Sequence, residues 1–314
     1  MHTSAVVFEE PRRLTVRRLE LIEPGPADVI VEVQWTGIST GTERLLLSGQ
    51  MPPFPGLGYP LVPGYEAVGR VVLAGPESGR GVGQLVFVPG ARCFPEVRCL
   101  FGAAARRLVV PGARAYPLAE DIGSHGALLA LAATAYHAGW QPGVMAPDLI
   151  IGHGALGRLL ARIAKSLGDG PAPTVWEINP ARRDGADGYR VIAPDEDARK
   201  DYRAIYDVSG DGRLLDPLIG RLAPGGEVVL AGFYHQPLSF EFVPAFLREA
   251  RIRVAAEWKP EDLQATVALA NAGRLRLDGI ISHQVVVHEA PAAYDAAFND
   301  PTCVKMVLDW REAA

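Results

Sequence analysis

The fold is decided by one stretch near the middle of the chain, Asp148-Leu-Ile-Ile-Gly152-His-Gly154-Ala-Leu-Gly157-Arg-Leu-Leu-Ala-Arg-Ile-Ala-Lys-Ser-Leu-Gly168. The apolar run before the first glycine predicts a buried strand, and the apolar residues after the last glycine recur at helical spacing. This context is typical of a dinucleotide-binding turn. Gly152 allows the tight turn, Gly154 lets the backbone approach a pyrophosphate, and Gly157 lets the helix pack on the strand. An ordinary glycine-rich turn is the alternative.

A second strand-like run, Thr174-Val-Trp-Glu177, ends in an acid twenty residues after Gly157. A carboxylate at this distance accepts hydrogen bonds from the adenosine ribose and repels a 2′-phosphate, so it favours NAD over NADP. Arg182 and Arg183 follow closely and could soften that preference. The sequence therefore predicts a Rossmann domain that binds NAD.

The composition is that of an ordinary globular protein. The chain has 314 residues, a length that is enough for two domains. Of these residues 48% are hydrophobic and 21% are charged, and the net charge is −5. The absence of a basic stripe argues against a nucleic-acid partner, and three cysteines do not suggest a disulfide framework. The sequence contains neither a signal-peptide core nor an apolar run of membrane-spanning length. We therefore expect a cytoplasmic protein and leave attachment to a membrane surface open.

The two halves of the chain differ in character. Short β-type runs separated by proline and glycine fill the first part and are typical of a barrel-like all-β domain. At about Asp121 the sequence changes to an Ala/Leu-rich helix, and strands then alternate with helices. The pattern predicts an α/β protein with a β-barrel and a doubly wound parallel sheet.

The chain resembles the medium-chain dehydrogenase/reductase superfamily over nearly its full length. Besides the glycine turn, the resemblance rests on Gly37-Ile-Ser39-Thr-Gly-Thr-Glu43, Pro63-Gly-Tyr65-Glu66-Ala-Val-Gly69, Thr134-Ala-Tyr136, Asp207-Val-Ser-Gly210, Pro224-Gly-Gly226 with Gly232, and Lys305-Met-Val-Leu-Asp309. It implies a GroES-like catalytic domain over residues 1–122 and 259–314, and a Rossmann domain over 123–258. Substrate and nicotinamide would meet in the cleft between them. A homodimer formed through the edge of the Rossmann sheet is a further expectation of the family.

The resemblance also implies which residues hold the cofactor. His153 either adds charge near the pyrophosphate or only fills the turn, and Thr134 is expected to pack on the nicotinamide face. The expected cofactor-binding residues are Gly152, His153, Gly154, Leu156, Gly157, Glu177, Arg182, Ser209, Thr134 and Gly232.

The zinc enzymes of the superfamily use Gly-Ile-Cys and Gly-His-Glu for their catalytic metal. Ser39 and Tyr65 stand at the cysteine and histidine positions here, and only Glu66 matches. The four-cysteine structural lobe of the zinc enzymes is reduced to Cys93 and Cys99, whereas zinc requires four suitable ligands. We therefore expect an enzyme without zinc.

Without a metal, side chains must steady the developing alkoxide and take up the proton. Tyr65 with Ser39 is the preferred pair, although the pKa of Tyr65, about 10 when unperturbed, would have to fall for it to act as a base. Ser39 and Thr42 suit hydrogen bonding or proton relay, and Glu66 suits structural contacts beside the site. A histidine on an Ala-rich helix is more often a satisfied structural residue than a catalyst. The candidates are Tyr65, Ser39, Thr42, Glu43, Glu66 and His137.

The segment from Ser39 to Glu66 resembles, more narrowly, the dehydrogenases of bacteriochlorophyll biosynthesis. This implies that the protein oxidises the hydroxyethyl side chain of a bacteriochlorophyllide-type tetrapyrrole with NAD. Four apolar residues of this segment could cover a flat macrocycle or could equally pack within the domain; they are Met51, Phe54, Leu57 and Tyr59. The alternatives are a zinc-free NAD(P)H quinone or enone reductase and a non-catalytic pigment- or dinucleotide-binding protein. Contacts with a membrane surface or with other enzymes of the pathway remain open.

Overall fold

The structure is a computed structural model that describes residues 1–168, 170–234 and 236–311. The strands are β1 (His2–Glu10), β2 (Arg13–Glu20), β3 (Asp28–Ile38), β4 (Leu61–Val62), β5 (Ala67–Ala74), β6 (Leu85–Val88), β7 (Arg98–Cys99), β8 (Arg107–Pro111), β9 (Tyr116–Pro117), β10 (Leu149–Ile151), β11 (Thr174–Trp176), β12 (Arg190–Ile192), β13 (Tyr202–Asp207), β14 (Leu222–Leu230), β15 (Arg251–Val254), β16 (His283–Val286) and β17 (Met306–Asp309). The α-helices are α1 (Thr42–Ser48), α2 (Leu129–Gly139), α3 (Ala155–Leu167), α4 (Leu215–Ile219), α5 (Phe242–Leu247), α6 (Pro260–Asn271) and α7 (Ala290–Asn299). None of the described helices is long and apolar enough to cross a membrane.

The chain divides into two compact units. The first unit comprises Met1–Ala130 and Ile281–Ala314, of which residues 312–314 lie outside the described residues, and the second comprises Leu131–Ile280.

The first unit is built from two β-sheets. One has the order β2-β1-β4-β7, and the other runs β16-β17-β3-β5-β6-β9 with β8 also paired to β3. The last strand returns to the first domain, because β17 pairs antiparallel with β3 from Met306 opposite Ile38 to Asp309 opposite Trp35. Trp310 closes this end of the core, fully buried, and its indole N–H donates to Thr36 at 2.9 Å. The expected β-rich domain with a C-terminal return is confirmed.

The second unit contains a six-stranded parallel sheet of order β12-β11-β10-β13-β14-β15. Numbered from β10, this is the 3-2-1-4-5-6 order of the Rossmann fold. The first strand, β10, lies in the middle of the sheet and is a short, fully apolar run, as expected for a strand covered on both faces. The doubly wound parallel sheet predicted from the sequence is confirmed.

The unit boundaries differ from the expected domain boundaries of 122/123 and 258/259. The segment Glu120–Leu128 forms a 3₁₀ turn against β3, β5 and β6 and so belongs to the first unit. Helix α6 was expected in the first domain but lies in the second unit, where Asp262 at its start accepts hydrogen bonds from helix α2 and the residues after it. The sequence pattern did not show this contact because it joins residues 125 positions apart.

Candidate active site and cofactor turn

The glycine turn of the second unit has the geometry that its pattern predicts. Gly152 has φ +102°, a conformation that side chains disfavour, and its N–H donates to Trp176 O at 2.8 Å. A Cβ on Gly157 would lie 1.9 Å from Gly152 O, so helix α3 could not approach the turn with any larger residue there. A Cβ on Gly154 would meet nothing within 4 Å, so the backbone faces open space at this position. Steric requirements therefore explain the first and last glycines, and the middle one leaves room for a ligand.

The carboxyl ends of the neighbouring strands gather at the same turn. A Cβ on Gly152 would lie 3.7 Å from Ser209 N, and one on Gly232 would lie 2.9 Å from Gly210 N. Ser209 donates from its N–H and its hydroxyl to the buried carboxylate of Asp207, at 2.8 and 2.6 Å. Ligands of doubly wound sheets bind at this edge, where the strand order reverses.

Glu177 follows β11 and points back at the glycine turn. Its carboxylate accepts from the N–H of His153 at 3.0 Å and from the N–H of Asn179 at 2.8 Å, and the residue is 7% exposed. Each carboxylate oxygen can accept a second hydrogen bond, so the group keeps acceptor capacity for a ribose hydroxyl. The acid thus lies at the position that the twenty-residue spacing predicts.

Of the two alternatives for His153, the structure favours the one in which it fills a turn position. Its ring is fully buried, with Nδ1 2.7 Å from Arg182 O and Nε2 2.8 Å from the Tyr189 hydroxyl. A carbonyl can only accept, so Nδ1 carries the proton and Nε2 accepts from Tyr189. Burial, with a contribution from the charge of Arg158 and against the opposing hydrogen bond to Arg182 O, lowers the pKa of His153 to about 4. The imidazole is therefore neutral at physiological pH and holds the turn rather than a phosphate.

Sequence reasoning missed Arg158, the residue that follows the last glycine. The side chain is 4% exposed and donates to the carbonyl oxygens of His153 and Arg182 at 3.1 and 3.0 Å. The signal was an arginine on an otherwise apolar helix face. Of the remaining expected cofactor residues, Leu156 lies half-buried in the first turn of α3 and Thr134 lies half-buried in α2.

The first unit contains a polar cluster around Tyr65. Its hydroxyl donates to Ser39 Oγ at 2.6 Å, and the N–H of Thr42 approaches the same oxygen at 3.4 Å. Ser39 is the residue after β3 and Thr42 begins α1, so the end of one strand and the start of one helix hold the hydroxyl group in place. The structure therefore brings together Tyr65, Ser39 and Thr42, three of the six candidates.

Glu43 supports this cluster through two buried hydrogen bonds. One carboxylate oxygen accepts from Ser39 N at 3.0 Å, and the other accepts from the Tyr294 hydroxyl at 2.6 Å. Glu43 is 1% exposed, and burial raises its pKa from 4.5 to about 7, a shift that Glu66 increases and the two hydrogen bonds and Lys305 reduce. Sequence analysis did not identify Tyr294, because it lies 251 residues further along the chain.

Glu66, a further candidate, forms a buried ion pair with Lys305. The two side chains are essentially inaccessible to solvent and joined through Glu66 Oε2, whereas Glu66 Oε1 has no hydrogen-bond partner among the described residues. Burial raises the pKa of Glu66, and Lys305 opposes this shift. The pair supports the Tyr65 cluster without touching Tyr65 through a hydrogen bond, in agreement with the expected structural role.

The pKa of Tyr65 is not lowered as a general base would require. Burial, followed by the neighbouring charge of Glu66, raises the pKa of Tyr65 well above its ordinary value, and hydrogen bonds to Ser39 and Thr42 offset only part of the shift. The phenol therefore keeps its proton at neutral pH. It can donate a hydrogen bond and pass a proton on, but it is not a standing phenolate base.

Two other sequence candidates have structural partners. His137 Nδ1 lies 2.7 Å from Asp262, which also accepts from Gln141 at 2.7 Å, so the histidine fixes α6 on α2 as the structural interpretation held. Among the residues that the structure describes, no three His, Cys, Asp or Glu side chains cluster as metal ligands would. At the positions of the catalytic zinc ligands, Ser39 and Tyr65 present hydroxyl groups bonded to each other. This donor set does not fit zinc.

The loop proposed to cover a macrocycle is partly core. Met51 is 8% exposed and packs in the barrel core, and the Tyr59 hydroxyl donates to Leu46 O. Met51 therefore packs within the domain, which was the alternative to a contact with a ligand. Phe54 and Leu57 are half-buried at the edge of this core.

The two units together define a class of protein. A GroES-like β domain with a C-terminal return and a Rossmann sheet of order 3-2-1-4-5-6 are the architecture of the medium-chain dehydrogenases/reductases. Residues 25–131 match the alcohol dehydrogenase GroES-like domain family. A dehydrogenase of Sinorhizobium meliloti 1021, described as a putative zinc-binding enzyme bound to NADP, has the same fold. Its TM-score is 0.84 at 22% identity, and the match covers 99% of this chain and 100% of that one.

Sequence comparison narrows the class to one family. The 2-desacetyl-2-hydroxyethyl bacteriochlorophyllide A dehydrogenase of Cereibacter sphaeroides is 55% identical over 319 residues, and the enzyme of that name from Rhodobacter capsulatus is 54% identical over 316. Both matches cover 100% of this chain and 100% of the relative. The chain belongs to this family of bacteriochlorophyllide dehydrogenases.

Proposed function

We propose that the protein oxidises the hydroxyethyl side chain of bacteriochlorophyllide a to an acetyl group, with NAD as the hydride acceptor. One observation carries the proposal, the identity of 55% over the whole length of a relative named for this substrate. The carbinol carbon gives a hydride to the nicotinamide and the hydroxyl gives up a proton, so the alcohol becomes a ketone and NAD becomes NADH.

Tyr65 and Ser39 are the residues we assign to the substrate oxygen. The Tyr65 proton already lies in a 2.6 Å hydrogen bond to Ser39, and the raised pKa of the phenol keeps that proton in place. The pair would hydrogen-bond the developing alkoxide and relay its proton, with Thr42 orienting Ser39. Glu43, with a pKa of about 7, can exchange a proton at neutral pH but contacts Ser39 only through the backbone. We therefore assign Glu43 a positioning role.

We further propose that this chemistry proceeds without zinc. The support is the donor set, because hydroxyl groups stand where the zinc enzymes of the superfamily have a thiolate and an imidazole. No step of the mechanism is therefore assigned to a metal.

NAD rather than NADP is the proposed cofactor, bound at the glycine turn. The support is the carboxylate of Glu177, which two backbone N–H groups hold at the carboxyl end of β11. A 2′-phosphate at the adjoining ribose would meet this negative charge. Ser209 and Gly232, which lie at the same edge of the sheet, would contact the cofactor from the neighbouring strands.

We also propose a homodimer formed through the second unit. Strand β15 is the edge of the Rossmann sheet, and apolar side chains remain exposed on it and on the preceding helix α5. Phe242, Leu247 and Val254 are each about 70% exposed. An unpaired edge strand beside a contiguous apolar surface favours pairing with a second copy. Sedimentation of wild type and Val254→Lys tests this: a dimer that the variant converts to a monomer is expected, and a monomeric wild type would refute it.

The function is tested by mixing chelator-treated protein with NAD and the hydroxyethyl bacteriochlorophyllide. We expect a red shift of the long-wavelength pigment band in step with NADH formation, and a loss of turnover in Tyr65→Phe with little change in NAD binding. Pigment binding without NADH would indicate a carrier. NAD(P)H-dependent reduction of quinones or enones, with no pigment chemistry, would indicate the reductase.

A further inference from the structure

Arg98 is an exposed cation on an edge strand of the first unit. It begins the short strand β7, which pairs in parallel with β4 so that Arg98 lies opposite Leu61. Within the described part of the chain its guanidinium forms no hydrogen bond or ion pair. Arg70 and Arg107 of the same unit, in contrast, hold the carboxylates of Glu120 and Glu32. A free guanidinium fits a planar anion that it can bind through two parallel hydrogen bonds.

The Arg98 side chain lies along the Pro/Gly-rich loop of residues 51–60. A Cβ on Gly58 would stand 3.3 Å from Arg98 Nε and 3.6 Å from its Cδ, so the arginine side chain lies close to the loop backbone at Gly58. The loop therefore borders the guanidinium on one side.

The same loop reaches the hydroxyl cluster through a row of aromatic rings. The rings of Phe54 and Phe101 meet edge to face at 6.5 Å, and those of Phe101 and Tyr65 at 5.3 Å. All three side chains are half-buried, so each keeps some surface exposed. The Tyr65 hydroxyl continues the row to Ser39 at 2.6 Å. The row thus joins the loop that borders Arg98 to the proposed oxygen-binding pair.

We propose that Arg98 binds the free carboxylate of the pigment substrate. The inference rests on the proposed function, because a bacteriochlorophyllide, unlike an esterified bacteriochlorophyll, carries a propionate group on the macrocycle edge. Leu61, level with Arg98, and Tyr65 are four residues apart, so the chain between them spans at most roughly 13 Å. This reach is comparable with the width of a tetrapyrrole. A flat ring lying on Phe54 and Phe101 can therefore present its hydroxyethyl group to Tyr65 and its carboxylate to Arg98.

The test compares the free acid of the hydroxyethyl pigment with its methyl ester, which is nearly the same size but uncharged at the propionate. Binding is measured by quenching of pigment fluorescence without NAD, so the readout does not depend on turnover. The variants are Arg98→Gln and, as a matched control, Arg18→Gln. Arg18 is exposed on β2 and is not part of the loop or the cluster.

We expect wild type and Arg18→Gln to bind the acid about five- to tenfold more tightly than the ester, as suits a partly solvated charged contact. Arg98→Gln should bind the acid as weakly as wild type binds the ester, and its affinity for the ester should not change. Equal affinities of wild type for acid and ester would overturn the assignment, as would an Arg98→Gln variant that weakens both equally.

Turnover with NAD then separates this inference from the proposed function. If the acid is preferred in an Arg98-dependent way but neither form yields NADH, the carboxylate site stands and the dehydrogenase proposal fails. If both forms are oxidised and the Arg98→Gln variant treats them as wild type does, the dehydrogenase proposal stands and the Arg98 assignment fails.

Discussion

The glycine turn and the Tyr65 cluster are held together by different kinds of interaction. The turn is held by backbone groups and by a neutral histidine, with hydrogen-bonded partners 24 to 36 residues apart. The cluster is held by buried acids and hydroxyls whose partners lie 26, 239 and 251 residues apart. Steric contacts of the backbone shape the turn, whereas the cluster depends on charged groups that are buried away from water.

The difference determines how each region responds to change. In the turn, a methyl group added at Gly157 collides with the backbone at any pH. In the cluster, an isosteric change that alters only a charge shifts the balance between desolvation and pairing, and the effect depends on pH. Variants of the two regions should therefore differ in the size of their effects and in their pH dependence.

The largest effect is expected from Lys305→Met. Removing the ammonium leaves Glu66 buried with neither oxygen paired, which should lower the free energy of unfolding by roughly 3–5 kcal/mol. Urea unfolding at neutral pH measures it. The control is the double variant Lys305→Met/Glu66→Gln, which removes both charges and should recover most of the loss. A single variant as stable as wild type would show that the pair does not matter for the cluster.

Glu43→Gln should give a smaller effect that changes with pH. Glu43 has a pKa of about 7 in the folded state and 4.5 unfolded, so wild type loses stability as the pH rises between these values, because the unfolded chain ionises first. Gln does not titrate. The variant should therefore gain roughly 2–3 kcal/mol relative to wild type between about pH 5 and pH 8.

The matched variant for this comparison is Tyr294→Phe. The Tyr294 hydroxyl stabilises ionised Glu43, so its removal raises the pKa of Glu43 and extends the loss of stability to higher pH. Urea unfolding of the three proteins across the pH range decides the matter. Parallel curves for wild type and Glu43→Gln would contradict a titrating Glu43.

Gly157→Ala tests the steric character of the turn. The new Cβ would lie 1.9 Å from Gly152 O, so the helix must shift, at a cost of roughly 1–3 kcal/mol that should be the same at every pH. Gly154→Ala is the control, because a Cβ there meets nothing within 4 Å. We expect Gly154→Ala to fold as stably as wild type but to bind NAD more weakly, since its methyl group enters the space left for the ligand. If the stability lost in Gly157→Ala depended on pH, the turn would not differ from the cluster in the way we expect.

The turn was accessible to sequence analysis because everything that defines it is local. Strand β10, three glycines and an amphipathic helix are consecutive, and Glu177 follows at a fixed distance. The sequence could not show that the His153 ring turns inward, because that depends on Arg158 and Tyr189 packing around it.

Sequence analysis could identify the cluster only in part. The positions of Ser39 and Tyr65 could be identified from motifs, but the partners of the two acids are Lys305, just before the last strand, and Tyr294 in the last helix. The pKa of Tyr65 could not be read at all, since burial sets its direction. Sequence analysis placed α6 in the first domain for the same reason, because the hydrogen bond between His137 and Asp262 leaves no local signal.

The smallest effect is expected at Glu177. This residue combines the two kinds of interaction, since its charged carboxylate is held by backbone N–H groups of the turn. Glu177→Ser removes the negative charge and leaves Arg183, whose Nε donates to the backbone oxygen of residue 177, beside the proposed ribose site. The ratio of the NAD and NADP dissociation constants should shift about tenfold towards NADP, or roughly 1.4 kcal/mol. The ratio is the informative quantity, because any loosening of the turn through the freed N–H groups of His153 and Asn179 weakens both cofactors alike and cancels. If both dissociation constants rise by the same factor, Glu177 only braces the turn, and the cofactor preference must be set elsewhere.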